Sequence, residues 1–542
     1  MTVCRHLIFA VGALALGLAA CQGCRSSGAP TGSAHPPGPD VGAPTLRLYL
    51  VTDLAGALEP CGCTKDQLGG LDHFGAWVRG ERTHAPTALV AAAGPLFFMD
   101  EKLEGERVDQ DRIKAETIAR VLHGLGFAAF APGANDWADG TVGLAKLALA
   151  SGAAVIVGDG TASPPFVSPV VRDVGGVRVG FVGFGQRQDG GGQATNVASR
   201  VAREVDEAKR QGANVLVALL AVGRGEAKRI ADAVPDLTAV VVGAPRASGD
   251  GNTTAPQGEQ VGGVLVVQAS NHLQSVAVLD LYVREPVTPG RFIHFSDATG
   301  LVLAHKRTDL SARIDDLHVK IAAWERDQFV AAGDIAARKR ELANLEAERD
   351  SLDGRPPPAT GSFFRYSMKE VRDSLGKDAT IEADMLAYYK AVDEHNRIAF
   401  AARLPPRAGA DQATYVGIDA CTKCHASART VWDATVHAHA YATLSSQFKE
   451  FNLECVGCHV TGYERPGGST VTHVEKLRDV QCEVCHGPGS KHVLVPSDPK
   501  GIIAKPPPDV CLDCHHAPHV EAFDPAAKMR EILGPGHGMA TK

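Results

Sequence analysis

Cys421-Thr-Lys-Cys-His425, Cys455-Val-Gly-Cys-His459, Cys482-Glu-Val-Cys-His486 and Cys511-Leu-Asp-Cys-His515 stand in the last quarter of a chain of 542 residues. Each is a Cys-x-x-Cys-His pentapeptide, the attachment pattern of a c-type haem. Two thiols at this spacing add to the two vinyl groups of the porphyrin. The adjacent His is carried under the ring to bind iron from the proximal side. Paired Cys-x-x-Cys motifs also build structural zinc sites, but zinc does not explain a His after all four pairs. The spacing therefore predicts four covalently bound haem c. Their attachments are Cys421, Cys424 and His425; Cys455, Cys458 and His459; Cys482, Cys485 and His486; and Cys511, Cys514 and His515.

A region of this size carrying four haems has little room for a side-chain core, so the porphyrins must form it. In residues 413–542 only Met529 and Met539 offer a thioether, so His/Met ligation cannot be general. His437, His439, His473, His492, His516, His519 and His537 are the further imidazoles. Bis-His ligation is expected, which keeps potentials below those of His/Met haems.

The rest of the chain sets the location. Arg5 followed by the apolar run Leu7–Leu18 reads as an export signal, too short for a permanent span. It ends in Leu18-Ala-Ala-Cys21, which resembles a bacterial lipobox and implies lipidation of Cys21 after cleavage. No later segment reads as a membrane span. Acyl chains would anchor the protein to the membrane, facing the periplasm or the cell surface. Residues 21–45, rich in Gly, Pro and Ser, read as a flexible tether. The formal net charge of −7 comes with no basic block, so no nucleic-acid partner is expected; the partners are redox proteins.

Between residues 46 and 305, apolar runs such as Leu46–Thr52, Val177–Gly183, Val215–Leu220 and Ser275–Val283 read as strands. They alternate with helical stretches such as Arg112–Leu125 and Val197–Gln211. Residues 306–355 are charged. Leu310, Ile314, Leu317, Ile321 and Trp324 repeat at heptad-like spacing there. They predict an antiparallel helical hairpin closing on itself or on a twin subunit, which would make a homo-oligomer; a solvated spacer is the alternative. Residues 356–412 read as a connector holding a short strand and the helix Ile381–Phe400.

Two resemblances follow. Tyr415-Val-Gly, the first motif, Trp432, His437-Ala-His-Ala-Tyr and Cys455-Val-Gly-Cys-His-Val-Thr-Gly-Tyr are similar to the cytochrome c-554 family of tetrahaem electron carriers. Val480-Gln-Cys-Glu-Val-Cys-His-Gly-Pro-Gly and the closing His537-Gly continue the match. The family's pattern implies distal ligands at His437, His492 and His537, with His439 competing for the first place. It also implies a haem without a protein sixth ligand at His459, where a small nitrogen or sulfur species could be reduced or oxidised. His473, His516 and His519 then read as surface residues.

The segment 46–305 resembles the 5′-nucleotidase-like metallophosphoesterases, through Val51-Thr-Asp-Leu-Ala-Gly, Leu68-Gly-Gly-Leu and Gly133-Ala-Asn-Asp-Trp. Active members hold two metals through Asp and His at strand ends. Here Asp53 and Asn135 stay. Ala55, Pro95, Ala221 and the run Ala244-Pro-Arg-Ala247 stand where further ligands are expected, so phosphoesterase activity is not. Cys61-Gly-Cys63 lies in the loop after the first strand. It reads as a disulfide (local or with Cys24), a ligand site or inert thiols. The expected fold class is an α/β sandwich of metallophosphoesterase type, a helical hairpin, and a mainly α or irregular multihaem cytochrome domain. The expected function is lipid-anchored electron transfer in the cell envelope.

Overall fold

β1 (Leu46–Thr52) reads Leu-Arg-Leu-Tyr-Leu-Val-Thr, and its side chains alternate between two buried faces. Leu46, Leu48 and Leu50 point into a core shared with a second sheet, while Tyr49 and Val51 point into a helix-covered core. A strand with no exposed face belongs inside a layered sandwich, and that is the architecture found. The structure, a computed structural model, describes residues 42–540 except 61–66, 158–164, 187–195, 248–250, 327–331, 353–357, 499–500, 517–518 and 521–522. The expected leader, Cys21, the expected tether up to residue 41, Cys24, Cys61 and Cys63 lie outside the described residues.

After β1 come α1 (Leu71–Gly80), β2 (Ala88–Gly94), α2 (Val108–Gly124), β3 (Phe127–Pro132), α3 (Gly140–Ser151) and β4 (Ala154–Val155). Then follow β5 (Val170–Val174), β6 (Val177–Phe184), α4 (Val197–Arg210), β7 (Val215–Ala221), α5 (Arg224–Ala233) and β8 (Ala239–Gly243). β9 (Glu259–Val261), β10 (Val264–Val267), β11 (Ser275–Tyr282) and β12 (Ser296–Asp297) precede the hairpin α6 (Leu301–Trp324) and α7 (Ala332–Asp350). β13 (Phe363–Glu370) and α8 (Ala379–Ala399) close this part.

One sheet has seven strands in the order β12-β13-β11-β1-β2-β3-β4, and the other has six in the order β5-β6-β7-β8-β10-β9. β1 runs parallel to β2 and antiparallel to β11, with Leu48 opposite Leu279. Residues from both sheets, among them Leu48, Phe181, Val217 and Leu279, form the central core. Phe74, Ile118, Leu144 and Tyr388 cover the outer face of the first sheet, and Val201 and Ile230 that of the second. The result is an α/β sandwich of four layers.

The connector reading needs correction. β13 lies inside the seven-stranded sheet, antiparallel to β11 over eight residues from Ser275↔Glu370 to Tyr282↔Phe363. Phe363 and Phe364 are fully buried, and Ile381, Tyr388 and Val392 of α8 pack in the outer core of the same sheet. The α/β sandwich is thus interrupted in sequence by the hairpin and completed after it. The hairpin packs on itself, with Leu310, Ile314, Leu317 and Ile321 of α6 against Leu342 and Leu345 of α7. Lys306–Glu348 (2.8 Å) and Glu325–Lys339 (2.6 Å) pair early residues of one arm with late residues of the other, which makes it antiparallel. Among the described residues, no helix is long and apolar enough to cross a membrane.

Candidate haem sites and the closed end of the sandwich

Beyond residue 400 the chain forms short helices and turns. The first motif ends the helix Ile418–Thr422, and His425 precedes the helix Ala426–Asp433. The second motif lies on the turn Val456–Cys458, the third on the helix Cys482–His486 and the fourth at the end of the turn Pro508–Asp513. The buried Glu483, inside the third motif, accepts N–H bonds from Val416, Gly417 and Gly489 at 2.7–3.1 Å. Gln481 adds a bond from the Ile418 N–H at 2.7 Å. The first and third motifs are therefore tied together by two polar side chains that the motif pattern does not single out. Gly417, at φ 83°, lies where a Cβ would stand 2.8 Å from the Lys476 carbonyl oxygen, so only glycine fits there.

The imidazoles fall into pairs. His425 and His492 have ring centres 6.3 Å apart, His515 and His437 6.2 Å, and His486 and His537 6.2 Å. Each pair joins a motif His to one of the three His expected as distal ligands; His439 is in none of them. An imidazole nitrogen binds a first-row metal at about 2.0 Å and the ring centre lies about 1.1 Å behind it, so two rings facing one metal are centred about 6.2 Å apart. The pairs have that separation. Second contacts orient the rings. His486 Nδ1 donates to the Ile503 carbonyl at 2.7 Å and His537 Nδ1 to Ile532 at 3.1 Å. A carbonyl only accepts, so Nδ1 carries the proton and the Nε2 lone pair is free for a metal. Burial, and then the charge of His515, pull His437 below the usual histidine range. That favours the neutral, ligating form. Phe523 stacks on His515 at 4.5 Å.

His459 differs. Its Nδ1 donates to the Ala440 carbonyl at 2.6 Å, leaving Nε2 free in the same way. Yet no paired imidazole stands opposite it among the described residues. His473 contacts the hydroxyls of Thr470 and Thr472 instead, and His516 and His519 lie against each other.

The thiols sort the motifs in space. Cys421 and Cys482 are within hydrogen-bond reach, as are Cys458 and Cys514, and Cys485 lies close to Cys511. Val436, Leu494, Ile503 and Leu512 expose large apolar side chains beside these His and Cys. Apolar side chains around paired imidazoles and half-exposed thiols fit a flat apolar macrocycle with an axially ligated metal, so the residues present suit haem. No group of three or more His, Cys, Asp or Glu among the described residues is placed to hold a metal ion by itself.

At the other candidate site the strand ends do converge. Asp53 Oδ1 accepts the Ala244 N–H at 2.7 Å, and Asn135 Oδ1 accepts the Ala247 N–H at 2.9 Å. Asp136 takes three backbone N–H bonds, from Leu96, Phe97 and Gly133. Asp53 (φ 51°) and Ala55 (φ 47°) keep left-handed backbones unusual outside glycine. A Cβ on Gly94 would stand 1.9 Å from Asp53 Oδ1. Backbone amides thus take up Asp53 Oδ1 and Asn135 Oδ1. Burial, partly offset by the Ala244 N–H, pushes the Asp53 carboxyl up to about 7.

The two regions meet through the loop 449–454 and through Arg403. Lys449 pairs with Glu59 at 2.7 Å, and its ammonium lies 4.3 Å from the centre of the Tyr389 ring. Gln110 on α2, Asn396 on α8 and Asn452 form a buried amide knot. Gln110 donates to Asn452 at 3.1 Å and accepts from Asn396 at 3.0 Å and from the Leu453 N–H at 3.0 Å. Lys114 pairs with Glu454, and Arg403 with Glu464 and Glu106.

These features define a multihaem c-type cytochrome region carrying covalently bound haem c, joined to an α/β sandwich. Residues 420–487 match the family described as Cytochrome c554 and c-prime. Cytochrome c-554 of Nitrosomonas europaea is 33% identical over 96 residues, which are 15% of this chain and 41% of that protein. The match suggests an extracytoplasmic location. Among solved structures, a 5′-nucleotidase precursor from Thermus thermophilus is similar at 18% identity, TM-score 0.40, over 67% of this chain and 61% of that one. The Thermus thermophilus sulfate thiohydrolase SoxB is similar at 16% identity, TM-score 0.36, over 45% and 54%. This chain therefore spans less than two thirds of each of these relatives.

Proposed function

We propose that the protein is a tetrahaem c-type cytochrome that passes electrons within the cell envelope, tethered to a membrane by lipid on Cys21. The observation that supports it best is the set of three imidazole pairs at 6.2–6.3 Å, each joining a motif His to a distal His. In this reading His425/His492, His486/His537 and His515/His437 each hold one haem iron, and His459 holds the fourth. When bound, each haem supplies a reversible one-electron iron couple. The thiol proximities order the attachments first–third–fourth–second, a single file along which electrons can hop. The end of the file at Cys455 abuts the α/β sandwich, which serves as a platform without phosphoesterase activity.

EPR of the fully oxidised protein, with a pyridine haemochrome count, tests this. The expected result is four haems per chain and three low-spin bis-His signals. A haem count below four would end the tetrahaem reading. Mass spectrometry of the membrane-bound protein should find a diacylglyceryl adduct on Cys21, and an unmodified N-terminus would remove the anchor. Two non-haem metals per chain, or turnover of a phosphate ester, would overturn the platform role.

The unpaired ring of His459 favours a second reading, in which the second motif presents an open iron to a small nitrogen or sulfur species. It requires a high-spin EPR signal that nitric oxide or cyanide converts. Four low-spin signals would sink it.

A further inference from the structure

Glu454 directly precedes Cys455, and its carboxylate is held by a residue of the other region. Lys114 Nζ on α2 lies 2.7 Å from both Oε1 and Oε2. The two side chains are only 14% and 30% exposed. The Leu453 N–H bonds Gln110 and the Glu454 N–H bonds Asn452, so the peptide carrying the carboxylate cannot swing away. Arg107, just before α2, and Asp111, one turn before Lys114 on it, line the same small cavity with Phe97 and Leu103. Burial draws Lys114 down, but the charge and hydrogen bonds of Glu454 outweigh it and raise the ammonium above its ordinary value. Glu454 is correspondingly lowered by Lys114 despite its burial. Both groups are therefore ionised, and they form a fixed ion pair beside one haem attachment.

We infer that Lys114 is a positioning residue for the haem on Cys455 and Cys458: it fixes the Glu454 carboxylate and offsets its charge, and so sets that haem's reduction potential. This rests on the tetrahaem reading. A carboxylate near a haem stabilises the more positive oxidised iron and lowers the potential, and an ammonium does the reverse. At the low effective dielectric of a buried site these effects are larger than in water. Glu454 adjoins Cys455, and Lys114 lies against its carboxylate. The pair is thus nearly silent when intact and strongly felt when halved. The α/β sandwich becomes the electrostatic partner of one haem rather than a passive tether.

Lys114→Met, Glu454→Gln and the double variant test this by spectroelectrochemical titration of the full-length holoprotein at about pH 8, above the ordinary glutamate range. Lys114→Met should lower the potential of one haem and Glu454→Gln should raise it. The double variant should return close to the parent, and the other three haems should stay put. A purely structural loosening would move both single variants the same way; that outcome, or no shift in either, overturns the proposal. If Lys114→Met does not fold, Glu454→Gln alone decides by the sign of its shift, and Lys114→Arg should preserve the parent potential. Fewer than four haems in the parent would defeat the tetrahaem reading itself. Four haems with unmoved potentials would defeat only the role of Lys114.

Discussion

The α/β sandwich and the haem region solve the problem of a core in opposite ways. In the sandwich, Leu46, Leu48, Phe181, Val217 and Leu279 are fully buried against one another, and at the strand ends Asp53, Asn135 and Asp136 are bonded by backbone amides. In the haem region the apolar cluster is small, built on Tyr441, Val456, Val460, Val471 and Val474. Val436 is 83% exposed and Leu494 81% exposed, each beside one of the paired His. One region packs its own side chains right up to the strand ends. The other leaves its polypeptide thin and relies on a cofactor for packing. A region built from side chains therefore holds its shape by itself, whereas a cofactor-built region has no shape to retain without the cofactor.

The largest effect should come from withholding haem. Protein made without haem attachment is expected to lose the whole folded structure beyond about residue 410, because its own apolar core is far too small to offset chain entropy. The sandwich should stay folded. Limited proteolysis would show a resistant fragment ending near α8, with hydrogen exchange fast beyond it. An apo haem region as resistant as the holo one would break the contrast. Next, Leu48→Ala should destabilise the sandwich by roughly 2–5 kcal/mol, as for other buried leucines. Urea unfolding followed by far-UV circular dichroism should show the loss, while the haem spectrum below the transition is unchanged.

How far the sequence carries depends on the range of the contacts. The four Cys-x-x-Cys-His motifs are wholly local, each set by five adjacent residues. β1, β6, β7 and β11 are legible within a residue or two because each is a long apolar, β-branched or aromatic run. β3, Phe-Ala-Ala-Phe-Ala-Pro, escapes the reading because alanine has little strand preference. α1 starts after Gly70 with no side-chain cap to announce it. β13 looks like part of a connector because its partner β11 lies on the far side of the hairpin in sequence. The Lys114–Glu454 pair spans 340 residues, and the Gln110–Asn452 bond spans 342, so no local pattern could disclose either. The choice between His437 and His439 is likewise a matter of three-dimensional facing. The sequence offers both, and among the described residues it is the ring of His437 that pairs with that of His515.

That facing leads to a sharper test within the haem region. His437→Met should exchange an imidazole for a thioether at one iron and raise the potential of one haem by on the order of 0.1 V, within the ~0.8 V range that axial ligands control. It should also bring in the weak near-infrared band of His/Met ligation. His439→Met should do neither. Equal effects at the two positions would mean that the 6.2 Å pairing of His437 with His515 has no bearing on ligation.

The smallest effect tests the sandwich's closed site. Burial raises the folded-state pKa of Asp53 from its ordinary 3.8 to about 7, and the charge of Asp136 adds to the rise. A raised acid binds its proton more tightly in the folded than in the unfolded chain. Its favourable contribution is thus fully present below the unfolded pKa of 3.8 and lost as pH rises toward about 7. Between those limits one such group tilts stability downward by at most about 1.4 kcal/mol per pH unit. Asp53→Asn keeps an oxygen for the Ala244 N–H and removes the titration. Its unfolding free energy should fall less steeply between about pH 5 and 6, with a difference on the order of 1 kcal/mol. A divalent metal held at this site would favour ionised Asp53 and reverse that slope. A parent protein whose stability rises through this window, and does so only when zinc or manganese is added, would mean that the closed site still opens to metal. The contrast between the two regions would then narrow to their packing.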